Sequence, residues 1–491
     1  MSKTPLDQHR EANTSQAQVD EIARTIESSG VEFVYYQGVT VTGRVIGKVV
    51  PAKHLRRNLE RGVNLHRTAI SDLQSDRAGN LLGGGVHAAE FTAMPDLDTF
   101  AVLPWDTTVA RFFTRIYEPD HLPEVGGQRL ASDSRGVLKQ VHAEFTARTG
   151  LHMRSGCEPE MMWLKRNEDG SVTGGPTKPL AYHIDQFEEL SDVYHRILEY
   201  STAMGLDMIQ GDHEDAYGQL EMNFMFDDAL RTADRLTTYR QLCARVAREF
   251  GLIACFMTKP FMKMSANGCH HNISLWRGGD ETVVPLGYDP LPGVDEVFTY
   301  RKGGTNEFID ATKPGAWMPP ELGRHAVGGI LTHLSALTAI GASTVNSYRR
   351  LMDTGLWAPV FADWGFQNRT CGLRVSAPGR MEYRSVDSMV NPYLMAAALI
   401  AAMDDGIRNK IDPGEPEERN IYEAMEAGKQ VRRLPRNLGL ALDALGEDKV
   451  VKSALPGDMY RLYELYKRDE WDAFNATVSN WDIDRYLDCL P

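Results

Sequence analysis

The sequence predicts an α+β protein with a small N-terminal sheet domain and one large mixed body. Two β-rich runs near the start of the chain, residues 31–36 and 39–50, are separated around Gly38 and indicate a hairpin. Farther along, strand patterns such as residues 153–164 alternate with helical patterns such as residues 237–250, and no internal repeat is visible. A chain of 491 residues with 42% hydrophobic residues has enough apolar material to form both bodies.

The predicted elements divide the chain into three parts. Residues 1–18 are polar and lack apolar periodicity, so we expect a mobile N-terminal arm. Helical spacing of apolar residues begins at Val19 and leads into the sheet domain, which we expect over residues 19–125. Turn-forming residues precede a predicted helix at the start of the large body, which we expect over residues 126–491. The last part of this body, from Pro392 on, has a mainly helical pattern.

The composition favours a small-molecule ligand. The chain has 53 Lys+Arg against 67 Asp+Glu, a formal charge of −14, and no long basic run, which argues against a nucleic-acid surface. Its longest apolar stretch, residues 394–403, is about half of the ~20 residues of a membrane span, so we expect a cytoplasmic protein without a membrane partner. The six cysteines are scattered and match no zinc or disulfide framework, which favours reduced thiols.

Acidic side chains in strand-like segments are the first candidates for a functional site. Glu158 and Glu160 lie two residues apart, so the period of a strand points both to one side. An isolated pair of this kind is more often the solvated face of an edge strand. Here His213-Glu214 and Glu221 flank further β-like segments, and acids that face a pocket together need a cation.

A histidine-bearing strand and a hairpin add to this set. His270 and Ser274 share one face of a predicted strand, although a single histidine is more often structural. A hairpin pattern around Gly379 places Glu382 and Arg384 on one side. Five glutamates, one histidine and several arginines on inward-facing strands predict divalent metal ions bound mainly by oxygen atoms, next to a phosphorylated ligand.

In their order along the chain, these residues resemble the motifs of the glutamine synthetase family, from about residue 31 to the C-terminus. The matching positions are Glu158-Pro159-Glu160, His213-Glu214, Gly218-Gln219, Glu221, Lys259-Pro260, His270, Ser274, Asn346-Ser347-Tyr348, Arg350, Asn368-Arg369, Arg374, Glu382, Arg384 and Asn391-Pro392-Tyr393. The resemblance implies a small N-terminal β-grasp domain, followed by a large ATP- and metal-binding catalytic domain with a curved antiparallel sheet and helices.

The resemblance also implies two or three Mg²⁺ or Mn²⁺ ions in a funnel-shaped site, with ATP as co-substrate. By the family pattern, one ion would be held by Glu160, Glu214 and Glu221, and another by Glu158, His270 and Glu382. The expected ATP contacts are Phe226, Ser274, Arg369 and Arg374. The expected glutamate contacts are Glu160, Glu214, Ser265, Ala266, His270, Arg350 and Arg384. The expected catalytic residues are Arg350, Arg369 and Arg384.

The acceptor side departs from the family pattern. Where the family flap carries a glutamate before Ala-Pro, this chain has Trp357 in a flap one residue longer, and the Asp-Gly-Ser-Ser loop expected before Pro95 is missing. Both acidic contacts for ammonium are thus absent, and an indole offers a wide apolar face instead. Asp353 and Tyr182 are further candidates for the amine pocket, and Asp353 or Glu90 would be the base for a protonated amine. The alternative is that Trp357 packs at a subunit contact.

These departures favour a γ-glutamyl-amide ligase, which would join glutamate to an organic amine through γ-glutamyl phosphate. A weakly basic aromatic amine arrives neutral and gains from stacking, so the chain resembles the γ-glutamylanilide synthases. Ligases for alkylamines, ethanolamine or polyamines remain alternatives, as does an ordinary glutamine synthetase that uses ammonium. Ser265-Ala266 replaces the family's Asn-Gly beside the expected glutamate contacts, a third departure.

Two alternatives belong to other classes of protein. A non-catalytic relative would have no reason to keep six metal-ligand candidates together. A phosphotransferase acting on arginine or creatine would not carry the β-grasp signature or Asn391-Pro392-Tyr393. The family resemblance further implies self-association into stacked rings, expected as a dodecamer, in which residues 83–91 and Trp357 could meet across a subunit interface.

Overall fold

The computed structural model describes the chain from an N-terminal helix to a C-terminal helix. The described residues are 3–14, 16–76, 78–279, 281–282, 301–302, 304–310, 312–313, 315–352 and 358–489. The N-terminal part contains helices α1 (Pro5–Ala12), α2 (Gln16–Ser28) and α3 (Leu55–Arg61), and strands β1 (Phe33–Val39), β2 (Val45–Pro51), β3 (Val63–His66), β4 (Glu90–Pro95), β5 (Ala101–Leu103) and β6 (Asp106–Tyr117).

The larger part of the chain is mixed. Its strands are β7 (Leu151–Arg166), β8 (Val172–Thr173), β9 (Met208–His213), β10 (Gln219–Phe224), β11 (Asp227–Asp228), β12 (Ile253–Cys255), β13 (Cys269–Arg277), β14 (Glu281–Thr282), β15 (Arg301–Lys302), β16 (Thr305–Asn306), β17 (Trp364–Phe366), β18 (Leu373–Ala377) and β19 (Arg380–Tyr383). Its helices are α4 (Ser134–Thr149), α5 (Ile184–Glu188), α6 (Ser191–Ala203), α7 (Ala229–Glu249), α8 (Glu321–Gly341), α9 (Ser347–Met352), α10 (Pro392–Asn409), α11 (Ile421–Glu426), α12 (Leu438–Glu447), α13 (Lys449–Ser453), α14 (Asp458–Asn475) and α15 (Asn480–Tyr486).

The small domain is built on a six-stranded sheet in the order β2-β1-β6-β4-β3, with β5 paired to β6. β1 pairs antiparallel with β2, which confirms the predicted hairpin, and parallel with β6. The turn lies later than predicted: β1 continues through Gly38, and the chain turns between Thr40 and Arg44, where Gly43 has a φ of 86°. Gly38 is an extended strand residue whose missing side chain leaves room for Ile116, so it marks a close contact and not a turn.

The segment predicted to be a mobile arm instead forms α1, which packs on the small sheet. Thr4 caps this helix, and Leu6 is fully buried. His9 lies between the Tyr117 hydroxyl, 2.8 Å from Nδ1, and the Pro95 carbonyl, 3.0 Å from Nε2. Burial lowers the pKa of His9 to about 4, so its ring is neutral at pH 7. The sequence pattern misses this packing because one leucine and one histidine produce no apolar periodicity.

The large body is organised around an eleven-stranded sheet that follows the path β17-β18-β19-β13-β7-β10-β9. The 16-residue β7 contains the predicted strand 153–164 and pairs antiparallel with both β10 and β13. α7, which contains most of the predicted helix 237–250, packs against β7 with Leu236, Tyr239 and Leu242 fully buried. The two sheets and the surrounding helices confirm the predicted α+β fold class.

The connection between the domains runs from the end of β6 at Tyr117 to the start of α4 at Ser134. These bounds bracket the predicted boundary near residue 125, which stays a prediction. None of the helices in the described ranges is both long and apolar enough to cross a membrane. The six cysteines all lie in the described ranges and form no disulfide.

A buried arginine joins the two domains. Arg135, on α4, donates at 2.9 Å to Asp96 of the small domain and at 2.9 Å to Asp234 of α7. Nearby, the Asn391 side chain at the start of α10 donates to the Val41 carbonyl of the small domain at 3.1 Å. The guanidinium and both carboxylates are buried, so each charge is stabilised by the opposite charges beside it and not by water.

Replacing Arg135 by methionine should destabilise the protein by about 3–5 kcal/mol, because Asp96 and Asp234 would be left as buried charges without their cation. The quantity to measure is the free energy of unfolding, by denaturant titration. Arg56→Met is the matched control: the Arg56–Asp20 ion pair is exposed, and its loss should cost below about 1 kcal/mol. Equal losses in the two variants would contradict the interdomain role of Arg135.

Candidate active site

Two adjoining cavities open on one face of the large sheet. The larger has a volume of about 830 Å³, and the smaller has a volume of about 320 Å³. Glu158, Gln210 and Arg380 line both of them, so the two spaces are contiguous. Every residue predicted to contact metal, ATP or glutamate lines one of the two cavities.

Strand register brings the predicted carboxylates together. His270 on β13 pairs with Glu158 on β7, and Glu221 on β10 pairs with Glu160 on the other edge of β7. β19 continues the array on the far side of β13, where Glu382 pairs with Asn272. Because side chains alternate along a strand, these paired residues share the face that carries the cavities. The sequence spacing predicts Glu158 and Glu160 on one side, and the structure places them so.

The first cluster is Glu158, His270 and Glu382. Their ligand atoms all lie within 4.8 Å of one another, and His270 Nδ1 is 3.3 Å from Glu158 and 3.4 Å from Glu382. Burial lowers the pKa of His270 well below its ordinary value, and the Arg384 charge lowers it further. The imidazole is therefore neutral at pH 7, which is the form that binds metal ions.

The second cluster is the predicted set Glu160, Glu214 and Glu221, which all line the larger cavity but are not among the described groups whose ligand atoms lie within 4.8 Å of one another. Burial raises the pKa of Glu160 to about 7, and burial with the Glu160 charge raises that of Glu214 to about 8. The pKa of Glu221 is also raised well above its ordinary value, first by burial and then by Glu158. Glu160 accepts from the Gly268 amide at 2.8 Å, but these carboxylates share too few cations to offset their charges. Hard oxygen donors in this excess fit Mg²⁺ or Mn²⁺.

Five arginines line the larger cavity: Arg380 donates to the Ser376 hydroxyl at 3.1 Å, and the other four lie beside the carboxylates. Arg374 donates to Glu382 at 2.8 Å, and Arg384 forms a short ion pair with the same carboxylate. Burial acts to raise the pKa of Glu382, but Arg384, His270 and Arg374 together outweigh burial and hold the pKa below its ordinary value. Arg350 lies 3.5 Å from His270 Nε2 and donates to the Arg384 carbonyl at 3.3 Å. Arg369, the fourth, has no hydrogen-bond or ion-pair partner within the described ranges.

The loop before β13 supplies the predicted glutamate contacts that are not charged. Ser265 and Ala266 both line the larger cavity. The Ser265 hydroxyl donates to Asp215 at 3.2 Å, and the Ala266 carbonyl accepts from the Gln219 side chain at 3.1 Å. A carbonyl oxygen has two lone pairs, so Ala266 keeps the capacity to accept a second hydrogen bond from a ligand.

The smaller cavity holds the residues predicted to lie near the nucleotide base. Phe226 and Ser274 line it together with Trp276, whose ring stacks near Phe226 at a centroid distance of 6.4 Å. The indole N–H of Trp276 donates to the Ser274 hydroxyl at 2.8 Å, and the Arg154 guanidinium lies 4.2 Å from the ring centroid. Trp276 is not among the predicted site residues, although its position two residues after Ser274 on one strand is the signal that would identify it.

The predicted amine contacts are only partly described. Tyr182 lines the larger cavity, is 65% exposed, and adopts a left-handed backbone with φ of 63°. Its amide donates to the His213 carbonyl at 2.8 Å, next to Glu214. Asp353 and Trp357 lie outside the described residues.

Two other residues related to the predicted amine pocket, Glu90 and Ala358, lie within the described part of the chain. Glu90 begins β4 and is not among the residues that line either cavity within this chain. Ala358, the residue after Trp357, lines the larger cavity. The described end of the flap therefore reaches the cavity, and Glu90 does not.

Two further residues of the larger cavity are not singled out by the sequence pattern. Asp212 pairs with Glu221 across β9 and β10, and burial together with the Glu158 charge raises its pKa to about 6. Its position directly before His213-Glu214 is the signal for it. Lys263 has a φ of 63° and lines the same cavity, and no sequence pattern predicts a left-handed lysine.

Known proteins resemble this chain over nearly its whole length. The family described as "Glutamine synthetase, catalytic domain" matches residues 131–289 and 298–486. The glutamine synthetase of Pyrococcus abyssi is 33% identical over 480 residues, which cover 93% of this chain and 96% of that protein. A glutamate–methylamine ligase of Methyloversatilis universalis is 32% identical over 482 residues, which cover 95% of this chain and 99% of that protein.

Solved structures agree with these relatives. A GmaS/ADP complex aligns with a TM-score of 0.81 at 29% identity, covering 95% of this chain and 99% of that one. GmaS without ligand aligns with a TM-score of 0.79 at 29% identity, covering 94% and 98%. The family match covers more than half of the chain. The chain therefore belongs to the glutamine synthetase family.

Proposed function

We propose that this ATP-dependent glutamate ligase joins the γ-carboxylate of L-glutamate to an organic amine, with an aromatic, aniline-like amine as the preferred acceptor. The observation that carries the proposal is Trp357, which stands in the flap where the family keeps a glutamate. Ala358, the next residue, lines the larger cavity, so this part of the flap is next to the substrates. The similarity to a glutamate–methylamine ligase supports an amine acceptor in general.

The proposed reaction has two steps. A γ-carboxylate oxygen of glutamate attacks the terminal phosphorus of ATP, and ADP leaves. The amine nitrogen then attacks the acyl carbon of γ-glutamyl phosphate, the bond to the phosphate oxygen breaks, and the nitrogen loses a proton. We assign the ATP phosphates to Arg369 and Arg374, and the glutamate carboxylates with the transferring phosphoryl group to Arg350 and Arg384, because guanidinium groups stay charged and match both anions in shape.

The remaining predicted residues complete the two binding regions. Phe226 and Ser274, with Trp276, line the smaller cavity, which we assign to the nucleotide base. Ser265 and Ala266 offer neutral polar atoms on the glutamate side of the larger cavity. With the base in the smaller cavity and glutamate in the larger one, the ATP phosphates would lie where the two cavities meet.

The metal proposal rests on the two carboxylate clusters. We assign one ion to Glu158, His270 and Glu382, whose ligand atoms lie within 4.8 Å of one another, and another to Glu160, Glu214 and Glu221, which line the same cavity. When bound, Mg²⁺ or Mn²⁺ would offset the charge of the phosphates. Within the chain, neutral His270 provides a ring nitrogen, and the arginines keep the Glu382 carboxylate ionised.

Without metal, the protein should lose stability as pH rises from about 6.5 to about 8, above the range in which the lowered pKa values of His9 and His270 act in the opposite direction. Glu160 and Glu214 have raised pKa values of about 7 and about 8 in the fold, against 4.5 ordinarily, so the folded state holds protons that the unfolded state has released. The free energy of unfolding in EDTA should therefore fall across this window. Mg²⁺ should reverse the trend and release protons on binding at pH 7, which calorimetry in two buffers measures. Stability that rises with pH in EDTA would contradict the assignment.

An aromatic acceptor agrees with the loss of the family's acidic ammonium contacts. Aniline-like amines are neutral at pH 7, so they attack without first giving a proton to a base, and a ring stacks on an aromatic side chain. Tyr182, which is exposed beside Glu214, offers such a surface in the described part of the cavity. An alkylamine is the second candidate because of the methylamine ligase relative. Ammonium, ethanolamine and polyamines are further alternatives, and a non-catalytic role is the remaining one.

We further propose that the protein works in the cytoplasm as stacked rings, with a dodecamer as the expected assembly. Residues 83–91 of one subunit would then approach the flap of the next.

Phosphate release should be fastest with an aromatic amine. The assay contains ATP, Mg²⁺ and glutamate, with ammonium, methylamine, isopropylamine, ethanolamine, putrescine or aniline as acceptor. We expect the highest kcat/KM with aniline, and no release when either glutamate or the amine is omitted. Preference for ammonium would overturn the aromatic assignment and identify an ordinary glutamine synthetase. Absence of turnover with every acceptor would support a non-catalytic protein.

The Trp357→Glu variant should use aniline less well and ammonium better than the wild-type protein. We expect kcat/KM with aniline to fall by roughly tenfold, since an apolar surface is replaced by a charge, and ammonium use to rise. Trp357→Phe is the matched control, because it keeps an aromatic face and should retain most of the activity with aniline. Unchanged kinetics of Trp357→Glu with both acceptors would mean that Trp357 does not contact the amine.

A further inference from the structure

Arg369 is held in the cavity by its backbone alone. Its side chain lines the larger cavity without any hydrogen-bond or ion-pair partner in the described ranges. The other four cavity arginines are each bonded to neighbouring groups. The position of the Arg369 guanidinium therefore depends on the turn that carries it, residues 367–370.

A surface segment, residues 412–421, lies against this turn, and we call it the strap. The Asn368 side chain donates to the strap carbonyls of Glu417 at 2.9 Å and Arg419 at 2.8 Å. Its oxygen accepts from the Thr370 hydroxyl at 2.7 Å, and that hydroxyl accepts from the Ile421 amide at 3.0 Å. The two neighbours of Arg369 in the chain are thus both bonded to the strap.

The strap also contacts β17, the strand before the turn. The Glu417 amide donates to the Trp364 carbonyl at 2.8 Å, and the Trp364 indole donates to the Gly414 carbonyl at 3.3 Å. At Gly365 the approach is so close that a Cβ atom would lie 2.3 Å from the Glu417 carbonyl oxygen. A small shift of the strap would therefore be transmitted to the turn.

One buried carboxylate fixes the shape of the strap. Glu417 is 5% exposed, and its side-chain oxygens accept from the Arg419 amide and Nε at 2.9 Å each and from Arg419 Nη2 at 3.1 Å. Lys429 Nζ donates to Glu417 at 2.9 Å and to Asp363 at 2.5 Å. Lys429 thus ties the strap to the residue directly before β17.

We propose that Glu417, with Lys429, is a positioning unit that fixes Arg369 for the phosphates of ATP. The inference rests on the proposed role of Arg369 in ATP binding. Glu417 lines neither of the two cavities of the candidate site, so it acts through the turn and not through contact with a substrate. Charge matters because two cations converge on this carboxylate, and a neutral group of the same shape would hold them less firmly.

The test measures the dissociation constant of ATP by calorimetry with Mg²⁺, which requires no amine. Glu417→Gln should raise this constant by roughly tenfold while the KM of glutamate changes by less than about twofold. Lys429→Met should behave in the same way, and Lys429→Arg should retain wild-type affinity. Glu415→Gln is the matched control on the same strap, since its side chain is 83% exposed, and it should leave ATP affinity unchanged. Thermal unfolding shows which variants fold.

A double-mutant cycle with Arg369→Ala separates positioning from general damage. In that background Glu417→Gln should change ATP affinity by less than about twofold, because the group it positions is absent. An equal loss in both backgrounds, no loss in the wild-type background, or an Arg369→Ala variant with unchanged affinity would each overturn the proposal. If Glu417→Gln does not fold, the same double-mutant cycle with Lys429→Met in place of Glu417→Gln tests the proposal. A wild-type protein that binds ATP but uses no amine would instead refute the proposed function and leave this cycle valid.

Discussion

Antiparallel pairing on both edges of β7 sets the geometry on which the site depends. The register places His270 opposite Glu158 on one edge and Glu221 opposite Glu160 on the other. A shift of one residue would turn these side chains to the opposite face, where residues such as the fully buried Met161 now pack. The apolar back of the sheet therefore fixes the register, and the register fixes the polar front. The packing of the core thus sets the relative positions of the predicted metal ligands.

The same register creates an uneven distribution of charge. Arginines lie at the end of the cavity near Glu382, and they hold that carboxylate ionised. Glu160 and Glu214 lie where burial dominates, and they keep protons to about pH 7 and above. The cavity thus has an end where anions are already neutralised and an end where carboxylates still need a cation.

The sequence predicts those parts of the molecule in which apolar and polar residues repeat with the period of a strand or a helix. Alternation along β7 places Glu158 and Glu160 together, and the residues predicted to contact metal, ATP or glutamate line the two adjoining cavities. The sequence does not predict features set by single tertiary contacts. The packing of α1 depends on Leu6 and His9 alone, and the close approach at Gly38 has the same appearance in sequence as a turn.

Other site features depend on distant segments. Trp276 and Phe226 lie near each other in the smaller cavity although they are far apart in the chain, and the strap contacts a turn about 50 residues away, as between Asn368 and Glu417. No local pattern carries such information. The assignment of the acceptor depends on Trp357, which lies outside the described residues, so its contribution stays a prediction.

Two residues of the larger cavity, Tyr182 and Lys263, have φ values of 63°. Glycine or asparagine adopts this conformation more easily, and a residue with a large side chain held there costs of order 1–3 kcal/mol. Replacing either residue by glycine would therefore relieve backbone strain. Because both side chains line the cavity, the same replacement would also change which molecules the cavity admits, so stability and selectivity are coupled at these two positions.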